Sequence, residues 1–114
     1  MRIQVTNGVL NESSFVLIRN REVITDLSTV THVDFVIGGN YYRSDDVQYS
    51  QYFDWSQSIL YQKRITAGYI GIVVAGFNLT PGTYTGARLL VLFANNSLYH
   101  EVARDITIDV EAFT

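Results

Sequence analysis

The sequence predicts an all-β domain: a single antiparallel Ig-like β-sandwich of seven to eight strands over residues 14–114, preceded by a short N-terminal arm at residues 1–13. Three observations lead there. Apolar and polar residues alternate with a period of two in most windows, and no stretch keeps a helical period for three turns. Turn chemistry recurs at strand-length intervals, at Asn20-Arg21, Gly38-Gly39-Asn40, Pro81-Gly82 and Asn95-Asn96. The chain has 114 residues, 47% of them apolar and 17% charged, which suits one domain with its own core. Short strands separated by regular turns are the pattern of an antiparallel sandwich.

The elements follow in order. Residues 1–13 carry Ile3, Val5, Val9 and Leu10, enough to dock as an extra strand on this chain or on a neighbour. Ser14 to Arg19 is a short strand with Val16 and Ile18 on one face, and Glu22 to Thr25 is a second piece after the Asn20-Arg21 turn. Thr31 to Ile37 alternates cleanly: Val33, Phe35 and Ile37 face the core, while His32, Asp34 and Val36 face away. Gly38-Gly39-Asn40 tolerates the positive φ of a hairpin turn, and Tyr41 to Arg43 returns. Trp55 to Arg64 is the one candidate for a short helix, though its Ile and Tyr content fits a strand as well.

The C-terminal half continues with a strand from Tyr69 to Ala75 whose Ile70, Ile72 and Val74 share the core face. Pro81-Gly82 turns the chain into a long strand, Thr83 to Phe93. Strict alternation there conflicts with composition. Tyr84 should point inward, yet Ala87, Leu89, Val91 and Phe93 make the better core face. A β-bulge at Gly86 adds one residue and reconciles the two. Arg88 then faces solvent, and Leu90 and Leu92 point outward, where a neighbouring chain or the N-terminal segment is expected to cover them. Asn95-Asn96 turns into the last strand, Leu98 to Val110.

Composition removes several function classes. A net charge of -3 argues against nucleic acid as the main partner, because phosphate binding needs clustered Lys and Arg. The absence of Cys removes disulfides, thiolate zinc sites and Cys nucleophiles. No apolar run approaches the roughly 20 residues of a membrane span, and the first residues lack a signal-peptide pattern. A soluble cytoplasmic product with no membrane partner is expected.

Candidate chemistry is thin. Asp45, Asp46 and Asp54 lack the spacing of a calcium loop and read as a solvated acidic loop. His32 lies on the polar face of its strand and His100 beside Glu101, with no Gly-x-Ser-x-Gly elbow to complete a triad. No catalytic residue, metal ligand or cofactor is expected, and a small enzyme would need a cleft joining His32 or His100 to a carboxylate.

The aromatics stand out instead. Tyr41, Tyr42, Tyr49, Tyr52, Phe53 and Trp55 cluster in an otherwise polar segment. Phe53 and Trp55 read as a core plug. The tyrosines read as interface residues, since two on a polar loop are hard to bury and Tyr is favoured at contact hot spots. The expected interface is therefore Tyr41, Tyr42, Tyr49, Tyr52, Leu90 and Leu92. The expected core is Val33, Phe35, Ile37, Trp55, Ile70, Ile72, Val74, Tyr84, Leu89 and Val91.

Two segments carry a resemblance. One is Arg43-Ser-Asp-Asp-Val-Gln-Tyr-Ser-Gln-Tyr-Phe-Asp-Trp55; the other is Leu79-Thr-Pro-Gly-Thr-Tyr-Thr-Gly-Ala-Arg-Leu-Leu-Val91. Together they resemble small bacteriophage virion structural proteins with an Ig-like β-sandwich, over roughly residues 14–110. Arg21 to Ile37, with Ile24-Thr-Asp-Leu27, is similar to the start of phage baseplate and tail Ig-like domains. The sequence departs from the pattern by one extra residue at Gly86. The resemblance implies an Ig-like fold and a virion protein made in the host cytoplasm, decorating the head or serving as a neck or tail accessory or adaptor. Its partners would be other virion proteins and further copies of itself. The alternative is a carbohydrate- or receptor-binding module that stacks sugar on Tyr41, Tyr42, Tyr49, Tyr52 and Trp55.

Overall fold

Alternation translates directly into strands. The structure is a computed structural model that describes residues 1–16, 18–19, 22–23, 30–54, 69–93 and 99–113. Within them lie β1 (Arg2–Thr6), β2 (Ser13–Val16), β3 (Ile18–Arg19), β4 (Glu22–Val23), β5 (Val30–Ile37), β6 (Asn40–Arg43), β7 (Phe53–Asp54), β8 (Tyr69–Ile72), β9 (Gly82–Phe93) and β10 (Tyr99–Glu111). Among the described residues two 3-10 turns, Ser50–Tyr52 and Val74–Phe77, interrupt the pattern. The protein is all-β.

The strands form a five-stranded sheet in the order β1-β10-β9-β5-β6, a three-stranded sheet in the order β2-β8-β7, and a two-stranded β3-β4 ribbon. The large sheet is mixed, not purely antiparallel, because β1 runs parallel to β10 with Ile3 opposite Ile108 and Val5 opposite Val110. The expected arm is thus in part an edge strand of its own chain. Alternation drives this: Val5 joins the core beside Ile108 and Val110, while Arg2 and Gln4 turn outward and bond Asp109 and Glu111.

The two larger sheets share one core. Phe15 of β2 meets Phe35 of β5 with ring centroids 5.8 Å apart, and Phe53 of β7 lies 5.7 Å from Phe77. Val33, Phe35, Ile37, Ile70, Ile72, Leu89 and Val91 are all buried in this cluster. Val74 is buried too, but not as a strand residue: β8 stops at Ile72 and Val74 opens a 3-10 turn. That turn carries Phe77 into the core as well, which a continuing strand could not do.

Pairing between β9 and β10 shifts between Ile106, opposite Ala87, and Ile108, opposite Tyr84. Thr85 and Gly86 together face the single residue Thr107, so the bulge sits where the composition required it. Gly86 has φ +71°, a conformation that costs an L side chain roughly 1 kcal/mol or more. Downstream of it Ala87, Leu89, Val91 and Phe93 are buried. Tyr84, expected fully inside, is only half-buried against the core, because its hydroxyl reaches out to donate to the Thr80 carbonyl at 2.6 Å. The expected Trp55 core position, the Trp55 to Arg64 segment and the turns at Asn20-Arg21 and Asn95-Asn96 lie outside the described residues.

Candidate interaction face

The outer face of the five-stranded sheet can be read from its register, because directly paired residues share a face. Val36 stands between Tyr41 and Arg88. Asp34 stands between Arg43 and Leu90, and Leu90 also pairs with Glu101. His32 pairs with Leu92, which pairs in turn with Tyr99. Three short rows of mixed apolar, aromatic and charged side chains therefore cross β6, β5, β9 and β10.

Two long side chains span this face. Arg43 on β6 and Tyr99 on β10 are three strand spacings apart, about 14 Å, yet Arg43 Nη2 donates to Tyr99 Oη at 3.2 Å. Beneath them, His32 Nε2 shares a 2.7 Å hydrogen bond with Tyr99 Oη, and Arg43 Nε donates to Asp34 Oδ1 at 3.3 Å. The bridge explains why His32 and Asp34 are 4% and 0% exposed on a face that also points away from the core. Asp45 approaches from the following loop, 3.7 Å from both Arg43 Nε and His32 Nδ1. Of the expected solvated acidic loop, Asp45 is thus turned partly into this cluster, while Asp46 Oδ1 accepts the Gln48 N–H and shapes the turn.

Electrostatics follow from burial. Burial, and then the Asp34 carboxylate, push the Tyr99 phenol above the ordinary tyrosine value. Burial opposes the charge on Arg43, but Asp34, Tyr99 and Asp45 outweigh it and hold the guanidinium above its usual value. Asp34 Oδ2 and His32 Nδ1 have no hydrogen-bond partner among the described residues. The imidazole offers a substrate little: Nε2 is engaged by Tyr99 and the ring is buried. Among the described residues no three His, Asp or Glu side chains are grouped to hold a metal ion.

The expected interface residues separate. Tyr41 is 57% exposed on this face, and Leu92 is half-buried there. Leu90 points outward as expected but is only 9% exposed, so its surface is already taken up. Tyr42 is a core residue: its side chain alternates to the inner face, is 8% exposed and stacks on Phe77 at 4.4 Å and 10°. Tyr49 and Tyr52 are half-buried and meet the same Phe77 edge-on, at 5.7 and 6.4 Å. The polar loop buries its tyrosines by curling back. Tyr49 and Ser50 N–H groups both donate to the Asp46 carbonyl, and Tyr52 N–H donates to the Tyr49 carbonyl. Residues 45–48 then face solvent while the rings face in. Tyr41 and Tyr42 lie on opposite faces of the sheet and do not form one stacking platform.

The reading from sequence missed Phe77, Asp34 and Tyr99. A 3-10 turn gives no periodic signal for Phe77. Asp34 shared its face with His32 in the alternation, but its burial depends on Arg43 and Tyr99 reaching across the sheet. Compared with protein-family models the chain matches none, and compared with curated proteins it finds no match either.

Proposed function

We propose that the chain is an Ig-like β-sandwich that works by protein–protein assembly, as a structural component of a bacteriophage virion in head decoration or as a neck or tail accessory. The Ig-like reading is supported by strand order. An Ig variable-type domain places its strands as G-F-C-C′-C″ in one sheet and A-B-E-D in the other. Taken in chain order, β10-β9-β5-β6 and β2-β8-β7 follow the G-F-C-C′ and B-E-D parts of that scheme, with β1 beside β10 and no C″ strand among the described residues. The β3-β4 ribbon is extra to it. The Tyr84 hydroxyl bonded to the carbonyl four residues upstream has the form of a tyrosine corner at the start of strand F.

The observation that carries the assembly reading is the outer face of the five-stranded sheet. It exposes Tyr41 at 57% and Tyr99 at 43% beside Arg43, Arg88 and half-buried Leu92. Tyr and Arg are the residues that dominate contact energy. Four strand spacings by about eight residues make a face of roughly 20 by 25 Å, so one contact lies at the low end of specific interfaces. Repeated copies in a particle would add avidity. The virion placement rests on the Arg43–Trp55 and Leu79–Val91 resemblance. Mass spectrometry of purified particles of the phage encoding the chain should find it in stoichiometric amount. Its absence would sink the virion reading.

A further inference from the structure

We infer that two copies of this chain pair edge to edge through β6, antiparallel about a two-fold axis at Tyr41, so that their five-stranded sheets become one. The inference deepens the assembly reading by naming one partner, a second copy, and is independent of where in a virion the chain sits.

Hydrogen-bond parity is the starting point. Hydrogen-bonded and non-hydrogen-bonded pairs alternate along an antiparallel ladder. Ser44 N–H donates to the Val33 carbonyl at 2.9 Å, so that pair is hydrogen-bonded. Counting back, Phe35–Tyr42 and Ile37–Asn40 are hydrogen-bonded too, whereas Asp34–Arg43 and Val36–Tyr41 are not. Tyr41 and Arg43 therefore direct their N–H and C=O groups away from β5, on the side of β6 where no strand lies among the described residues. The Arg43 carbonyl already accepts the Asp46 N–H at 3.2 Å. Among the described residues, no strand pairs with the Tyr41 groups.

The two edges of the sheet differ in protection. Natural edges are blunted by charge, proline or bulges. On β1, the Arg2 side chain keeps its charge 69% exposed even though it pairs with Asp109. On β6 there is no proline or bulge, and its one charge, Arg43, is turned onto Asp34 and Tyr99. Tyr41 is exposed, and a Cβ on Gly39 would meet no atom within 4 Å. An antiparallel edge is self-complementary about a two-fold axis, which selects a second copy as the occupant. The axis at Tyr41 sets Tyr41 opposite Tyr41, Tyr42 opposite Asn40 and Arg43 opposite Gly39. An axis at Arg43 would oppose two guanidinium groups and an occupied carbonyl.

The chain has no cysteine, so single-cysteine variants report cleanly. In the proposed pair the Tyr41 Cα atoms stand about 5.5 Å apart, inside the range a disulfide accepts. Under mild oxidation Tyr41→Cys should convert mostly to covalent dimer. Val47→Cys, at 92% exposure but off the edge, and Gln4→Cys on the other edge should stay mostly monomeric. Tyr41→Cys cross-linking no faster than Val47→Cys overturns the inference. Sedimentation equilibrium gives a second readout. Wild type should show a reversible dimer, and Tyr41→Pro, which removes the outward N–H together with the ring, should weaken it by about tenfold more than Tyr41→Ala, which removes the ring alone, near 1.4 kcal/mol. A wild type monomeric at every concentration also overturns it. Presence in virions without cross-linking of the Tyr41→Cys variant would leave the assembly reading standing and remove only the edge pairing.

Discussion

Truncating Phe77 should destabilise the protein more than any other single aromatic change among the described residues, because Phe77 joins the loop tyrosines to the core. Its ring lies 4.4 Å from Tyr42, 5.7 Å from Tyr49, 5.7 Å from Phe53, 6.0 Å from Phe35 and 6.4 Å from Tyr52. The residue is 5% exposed. Phe→Ala in a core costs about 3–5 kcal/mol, and each aromatic pair adds roughly 0.5–1.5 kcal/mol beyond area burial, not additively. Phe77→Ala should therefore cost about 4 kcal/mol or more, a large share of the roughly 5–15 kcal/mol that holds a domain. With a urea m-value near 2 kcal/mol/M, the midpoint should fall by about 2 M. The assay is urea denaturation followed by far-UV circular dichroism, with near-UV dichroism reporting tyrosine packing. A cycle of Phe77→Ala and Tyr42→Ala should give a coupling of about 1 kcal/mol. A loss under about 1 kcal/mol, with near-UV signal intact, would refute the hub and return the tyrosine loop to solvent.

Other outcomes follow from the same geometry. A Cβ on Gly76 would stand 2.4 Å from the Tyr52 ring, so Gly76→Ala should cost about 1–3 kcal/mol in the same urea assay. Gly86→Ala should cost about 1 kcal/mol through its positive φ, whereas deleting Gly86 should abolish folding, because residues 82–85 would then turn to the wrong face. Hydrogen bonds from Arg2 and Thr83 hold the Asp109 carboxyl below its ordinary value. A depressed folded value means stability present above the unfolded pKa and lost as pH falls through the folded one. Acid titration of the denaturation midpoint below about pH 4 should thus be steeper in wild type than in Arg2→Ala, and equal slopes would argue against the pair. For Tyr99 the shift is upward, first by burial and then by Asp34. Its contribution is complete below about pH 10 and lost as pH rises through the folded value. Asp34→Asn should lower the phenol's spectrophotometric titration midpoint.

Much of the strand pattern was legible because alternation is a local property. Val33, Phe35 and Ile37 share a face whatever lies beyond, and the conflict between Tyr84 and Ala87 pointed to Gly86 from composition alone. The loop tyrosines were not legible. Counting polar neighbours from Ser44 to Ser50 suggested exposure, but successive backbone turns anchored on Asp46 rotate the rings inward. Leu90 failed differently: its outward face was readable, but its 9% exposure is set by tertiary packing, which alternation does not encode.

By itself, then, the sequence determined that the chain is β-rich, which side chains line the inner faces of β5, β8 and β9, and where a bulge must break the alternation. These depend on period-two geometry and on the few residues that tolerate positive φ. Tertiary structure alone decided that β1 lies parallel beside β10, that Phe77 gathers three tyrosines, and that Arg43 and Tyr99 close over His32 and Asp34. Each brings together groups far apart in the chain or held by a nonperiodic turn, and their contact energies have no local signature in the order of the residues.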